Sequence, residues 1–184
     1  MLRRTAVASA VAALAGVVPG GATAAKKNRP AGECAGAGSV AIDEATREKA
    51  IDAVLCLVNR ERAARGVGAV RASKPLRSAA VGHSDAMVSA KFFSHSSRNG
   101  DTAQRRAARA GYARIPFVGE TIAWGSGMFA TPAQLVGSFL SSTEHRQIML
   151  DRRFRDVGVG IALGAPRLAV PGDATTVTLD FGRR

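Results

Sequence analysis

The chain has 184 residues, 46% of them hydrophobic, and carries 26 Lys and Arg against 14 Asp and Glu, a formal net charge of +12. That length accommodates one hydrophobic core and argues against two. So positive a charge favours anionic partners such as cell-wall polymers, phospholipid headgroups or nucleic acid, but the arginines are scattered and aromatics make up only 5%, which counts against a nucleic-acid module.

Met1-Leu2-Arg3-Arg4 is a short basic region, Thr5 to Val18 an apolar run, and Pro19-Gly20-Gly21 a break before the small residues Ala22-Thr23-Ala24. This is the pattern of a cleaved export signal over residues 1–24. The run is shorter than the ~18–20 residues that span a bilayer, and no other stretch approaches that length. The sequence therefore predicts a secreted, extracytoplasmic protein with no transmembrane segment in its mature form. The Arg3-Arg4 pair also admits the twin-arginine route. Setting those two residues aside leaves 24 basic residues against 14 acidic ones.

The two cysteines, Cys34 and Cys56, suggest a disulfide in an exported protein, worth ~3 kcal/mol in the chain-entropy picture. The alternative is a buried, unpaired Cys56.

Residues 25–42, dominated by Gly, Ala, Lys and Pro, read as a flexible arm, and the folded domain is expected over 43–184. Ile51, Val54, Leu55 and Val58 share one helical face between Thr46 and Arg65, with Asp43 and Glu44 suited to the start and Gly66 to the stop. Ser73-Lys74-Pro75 starts a second helix, Ser73 able to cap it. On it Leu76, Ala80, His83 and Met87 fall on one face, making His83 a hydrogen-bonded core histidine in preference to a ligand. Phe92 and Phe93 are expected to plug a core. They would anchor a polar loop, Ser94-His95-Ser96-Ser97, that ends at the Asn99-Gly100 turn. A short helix follows, from Asp101 or Thr102 to Arg109.

From Phe117 to Gly125 the residues are apolar around a single acid, Glu120, which needs a cation, backbone amides or a raised pKa. Thr131-Pro132 opens another helix with Leu135, Val136, Phe139 and Leu140 on its apolar face. Ser142 or Thr143 can cap a last one, with Glu144 and His145 in its first turn. There the helix dipole favours neutral imidazole. The period then becomes 2: Val157, Val159, Ile161 and Leu163, then Val177, Leu179 and Phe181, form an antiparallel hairpin, and the fold class is α+β. Gly158 and Gly160 leave room for another element to approach closely.

Several segments recur together in one family: Leu57-Val58-Asn59-Arg60-Glu61-Arg62, the Leu76, Ala80, His83, Met87 spacing, Phe93-Ser94-His95, and Gly119-Glu120-Thr121-Ile122-Ala123. To these are added Ser142 through His145-Arg146 to Met149-Leu150, Gly158-Val159-Gly160 and Asp180-Phe181-Gly182. In this order and spacing, over roughly Ala50 to Gly182, the chain resembles the CAP superfamily (cysteine-rich secretory proteins, antigen 5, pathogenesis-related 1) in its bacterial SCP-like form. The resemblance implies an α-β-α sandwich with a central antiparallel sheet. It also implies a cleft where His95, Glu120 and His145 converge and where family members can hold a divalent cation, often zinc. Other members bind sterols, fatty acids or partner proteins. This chain departs from the family at Thr121, where Asn is usual, and at Phe139, where Trp is usual. Pro132 to Ser141 lacks the second family glutamate; Glu144 is the nearest acid in sequence to that helix.

Two imidazoles and a carboxylate match the donor set of catalytic zinc sites; a hydrogen-bonded polar cluster is the other reading of the same residues. No His-Glu-x-x-His or Gly-x-Ser-x-Gly motif is present. The expectation is an extracellular binding module for lipid or anionic cell-envelope polymer. The alternative is a metal-dependent or serine-type hydrolase acting through the same cleft, with Ser94 or Ser96 beside His95.

Overall fold

The computed structural model describes residues 33–113, 117–168, 170 and 173–183. The export signal expected over 1–24, and the arm up to residue 32, lie outside the described residues. The described elements are α1 (Glu44–Ala64), β1 (Arg71–Ala72), α2 (Lys74–Ser89), α3 (Ala103–Arg109), β2 (Phe117–Ser126), α4 (Pro132–Ser141), α5 (Thr143–Leu150), β3 (Asp156–Leu163) and β4 (Ala174–Arg183).

Local chemistry sets the helix starts. Asp43 accepts from the Thr46 amide at 2.8 Å while its own amide donates back to Thr46 Oγ1 at 3.0 Å, a reciprocal cap that starts α1 two residues before its apolar stripe suggests. Thr102, Thr131 and Ser142 each accept from the amide three residues on, at 3.4 Å. Ser73 differs from the expectation: its hydroxyl makes no cap and is buried without a partner. The reason is β1, since the Ser73 amide is engaged at 2.9 Å by the Val157 carbonyl, which fixes the residue to the sheet.

The sheet order is β1-β3-β4-β2. β3 pairs antiparallel with β4 as expected, and β4 with β2, but β1 runs parallel to β3, so the sheet is mixed and not wholly antiparallel. Two paired residues, Arg71 and Ala72, are too few to leave an alternating signal. On one face Val157, Val159, Ile161, Val177, Leu179 and Phe181 share a core with Val54, Leu57 and Val58 of α1 and with Leu135 and Phe139 of α4. On the other lies α2, so close that a Cβ on Gly158 would fall 2.1 Å from the Leu76 backbone and one on Gly160 2.2 Å from that of Ala80. Ser84 Oγ on α2 donates to Thr178 Oγ1 at 2.8 Å across this contact. The architecture is an α-β-α sandwich of the α+β class.

Two ties hold the α1 layer. Arg62 is fully buried and donates to the carbonyls of Gly68 at 2.8 Å, Met149 at 2.7 Å and Phe154 at 3.3 Å, placing a cation at the C-terminal end of α5. Cys34 and Cys56 form a disulfide. With it, residues 33–42, although without helix or strand, are held to the domain: Ala41 is buried and the Ala37 carbonyl accepts from the Ala133 amide at 2.9 Å. Among the described residues no helix is long and apolar enough to cross a membrane.

Candidate functional site

α2 turns His83 into the protein, where the ring is fully covered. Nε2 lies 2.9 Å from the Ser94 carbonyl and Nδ1 3.4 Å from Ser97 Oγ. A carbonyl only accepts, so Nε2 carries the proton and His83 pins the start of the polar loop. Burial is the main cause that lowers its pKa, with the Glu120 charge opposing and Arg106 assisting. This is the core histidine expected from the sequence.

The aromatic plug is a correction. Phe93 is 38% exposed, and Phe92 is half-buried, edge-on to His83 at 6.0 Å with the Arg98 guanidinium 5.4 Å from its ring centroid. α2 ends at Ser89 and Lys91 takes a φ of 50°, which turns the chain outward before the Phe pair. Polar bonds do the positioning instead. Arg106, buried on α3, donates through Nη1 to the His95 carbonyl at 3.1 Å, to Ser97 Oγ at 3.1 Å and to the Asp101 carbonyl at 2.8 Å. Its Nη2 donates to Glu120 Oε2.

Glu120 projects from β2 beneath these loops, its side chain 4% exposed. Oε1 accepts from His95 Nδ1 at 2.8 Å while Oε2 is taken by Arg106. Burial pushes the carboxyl up, but the His95 hydrogen bond and the Arg106 charge outweigh it and hold the group below its ordinary value. An ionised acceptor requires the proton on His95 Nδ1. The His95 side chain is 57% exposed, and its ring centroid lies 6.2 Å from that of His145. His145 sits in the first turn of α5 with Phe139 edge-on at 5.4 Å. Its pKa is lowered first by burial and then by the His95 charge, against the pull of Glu144. Glu144 is exposed and accepts from Ser142 Oγ at 3.1 Å at its own helix start.

Behind Glu120 is a second acid. Asp180 on β4 is its cross-strand partner and is fully buried. Burial, then the Glu120 charge, raises it well above the ordinary carboxylate value, and Arg106 only partly offsets this. The neutral acid is the favoured form.

The sequence profile of the cysteine-rich secretory protein (CAP) family matches residues 55–181, most of the chain. The chain belongs to the CAP family. No curated protein sequence matches it. Among solved structures it is similar to an extracellular protein containing an SCP domain from Bacillus anthracis str. Ames, with a TM-score of 0.61 at 22% identity over 79% of this chain and 45% of that one. An outer surface protein of Borrelia burgdorferi gives 0.62 at 16% identity, covering 78% of this chain and 96% of its own. A cysteine-rich secretory protein of Staphylococcus aureus subsp. aureus Mu50 gives 0.53 at 14% identity, covering 75% of this chain and 40% of that one. This chain thus spans less than half the length of the Bacillus and Staphylococcus proteins.

The CAP cleft of this chain brings His95, Glu120 and His145 to one edge of the sheet, but not as three free ligands. Both Glu120 oxygens are engaged, and among the described residues no three His, Cys, Asp or Glu side chains are gathered to hold a metal ion. Arg106 occupies the position where a cation would meet Glu120. As placed, the set does not fit a three-ligand zinc centre; it fits a carboxylate that orients an imidazole. Sequence reading missed Arg106 and Asp180. The demand of Glu120 for a partner was the signal for the first, but nothing distinguishes Arg106 from its neighbour Arg105 in sequence. Asp180 continues the polar alternation Thr176, Thr178 and reads there as an ordinary strand residue.

Proposed function

We propose that this CAP domain is an extracytoplasmic binding module that engages anionic cell-envelope material through its cationic surface. In this reading His95, Glu120, Arg106 and His145 form a polar clamp that shapes the cleft. The observation that carries it is the commitment of both Glu120 oxygens to Arg106 and His95, which employs the one buried carboxylate of the clamp in holding the loop and the His95 ring. The hydrolase alternative lacks support on a second count: the His95 ring bonds to Glu120 and to no serine hydroxyl, and Ser94 Oγ accepts from the Ser96 amide at 3.1 Å.

Export is supported by the Cys34–Cys56 disulfide, by the signal-like sequence of residues 1–24 and by the extracellular or surface descriptions of the Bacillus and Borrelia neighbours. The net charge of +12 supports anionic partners. A cation in the cleft would rest on the two imidazoles and solvent.

Sedimentation of the full chain with purified envelope material tests this reading. Retention at about 50 mM salt and release at about 500 mM are expected, because exposed charges are screened over that range. Absence of low-salt retention overturns the binding reading. Turnover of a peptide or ester panel that vanishes in His95→Ala would establish the hydrolase instead.

A further inference from the structure

The edge of the sheet farthest from the polar clamp contains a gap with a structural cause. β1 pairs with β3 only through Arg71 and Ala72, and the chain then leaves the sheet to start α2. Beyond that point the edge of β3 has no neighbouring strand among the described residues, so the row of side chains that a longer β1 would supply is missing. The result is a cavity of about 280 Å³ between β3, α1 and the first turn of α2. Its wall is Ile51 and Leu55 of α1 with Val157 and Val159 of β3, and the register places Ala72 beside Val157 on the α1 face of the sheet.

Polar residues line the same cavity: Ser73, Lys74 and Arg77 at the start of α2, and Asp52 on α1. Ser73 is 6% exposed and its Oγ has no partner. It does not cap α2, so the first amides of that helix are left without a side-chain acceptor. Lys74 and Asp52 are exposed, and neither forms an ion pair with a described residue. Arg77 reaches across to Glu48 of α1, Nη2 donating to Oε2 at 2.6 Å, and straps the start of α2 to that helix.

We infer that this cavity binds a free aliphatic α-amino acid of about the size of leucine. The carboxylate sits at the start of α2, where Ser73 Oγ, the uncapped amides and Lys74 all favour an anion. The ammonium faces Asp52, and the side chain replaces the missing row against Ile51, Leu55, Val157 and Val159. At roughly 30 Å³ for each non-hydrogen atom the cavity takes about nine of them, as leucine has. The inference is independent of the envelope-binding reading, since this cavity and the clamp lie at opposite edges of the sheet.

Two observations decide against other amphiphiles. A long acyl chain or a sterol has about twice as many non-hydrogen atoms as the cavity takes, or more. The charged lining also has both signs, Lys74 and Arg77 against Asp52. An acid without an ammonium leaves Asp52 unpaired, and an amine without a carboxylate leaves the start of α2 unfilled.

Heteronuclear NMR titration of the full chain tests this with three probes: L-leucine, isocaproate, which lacks the ammonium, and isoamylamine, which lacks the carboxylate. Leucine is expected to saturate with a dissociation constant of about 1 mM or below. Its shifts should centre on residues 51–55, 72–77 and 157–159, and it should bind about threefold tighter than either analogue, or more. Asp52→Asn should weaken leucine by about threefold or more and leave isocaproate within about twofold. Ser73→Ala should weaken both. Asp52 is exposed, so its replacement leaves the core untouched and the test does not depend on a buried variant. The inference is overturned if leucine gives no saturable shifts, if they centre elsewhere, or if isocaproate binds as tightly as leucine. It is overturned equally by an Asp52→Asn loss shared by both acids, or by no loss in Ser73→Ala. None of these outcomes touches the envelope-binding reading, which sedimentation tests by itself.

Discussion

Arg106 and Glu120 are worth more as a pair than either is alone. A carboxylate this deep in the protein tolerates ionisation because a buried guanidinium faces one oxygen and an imidazole the other. Arg106→Met should therefore destabilise the fold by about 3–5 kcal/mol in urea unfolding, and Arg106→Met with Glu120→Gln should recover a good part of that, since the stranded charge is then gone. A loss under about 1 kcal/mol in the single variant would show that Glu120 does not depend on Arg106. Asp180 obeys the opposite logic. Its folded pKa is raised, so the folded state holds the proton longer than the unfolded chain does. Its contribution is fully present below the ordinary value of 3.8 and is lost as pH rises from there toward the folded pKa. Asp180→Asn should remove that loss and raise the melting temperature at pH 8 by roughly 2–4 °C, with little change near pH 4. A lower melting temperature at pH 8 would mean that the carboxylate is ionised and paired.

At the scale of elements, the contact between α2 and β3 is the least forgiving. Gly160→Ala would place a methyl 2.2 Å from the Ala80 backbone, and a cost of about 3 kcal/mol in chemical unfolding is expected. Gly137→Ala, inside α4 with nothing within 4 Å of the added carbon, should instead stabilise by about 0.5–1 kcal/mol. If the two variants behave alike, the helix does not lie on the strand as described. This contact is legible in the sequence itself, because two glycines alternating with Val157, Val159 and Ile161 indicate a missing layer of side chains. The long helices and the β3–β4 pair are legible for similar reasons, as their periods run over many residues. β1 is not, being two residues long and defined wholly by its neighbour. The Phe92-Phe93 anchor misleads because hydrophobicity says nothing of where a helix C-terminus turns the chain. In the site, His95, Glu120 and His145 stand out by residue type, and their convergence is what the family resemblance implies, not their spacing. The partner that neutralises Glu120 cannot be read from the sequence, since it is one arginine among many and only the docking of α3 on β2 selects it.

For the whole molecule, the CAP fold supplies a sheet covered on both faces, and function is left to its edges and ends. At one edge β2, the loop after α2 and the start of α5 bring two imidazoles together over a carboxylate that is already spent. The engagement of Glu120 is decisive, because a free Glu120 would restore both the metal and the catalytic readings. Calorimetric titration of the full chain with zinc, wild type against His95→Ala, examines it most directly. Closely similar heats for the two proteins are predicted. A saturable heat in the wild type that is lost in His95→Ala would place an ion on the His95 ring and contradict the reading of the cleft as a clamp that holds no cation.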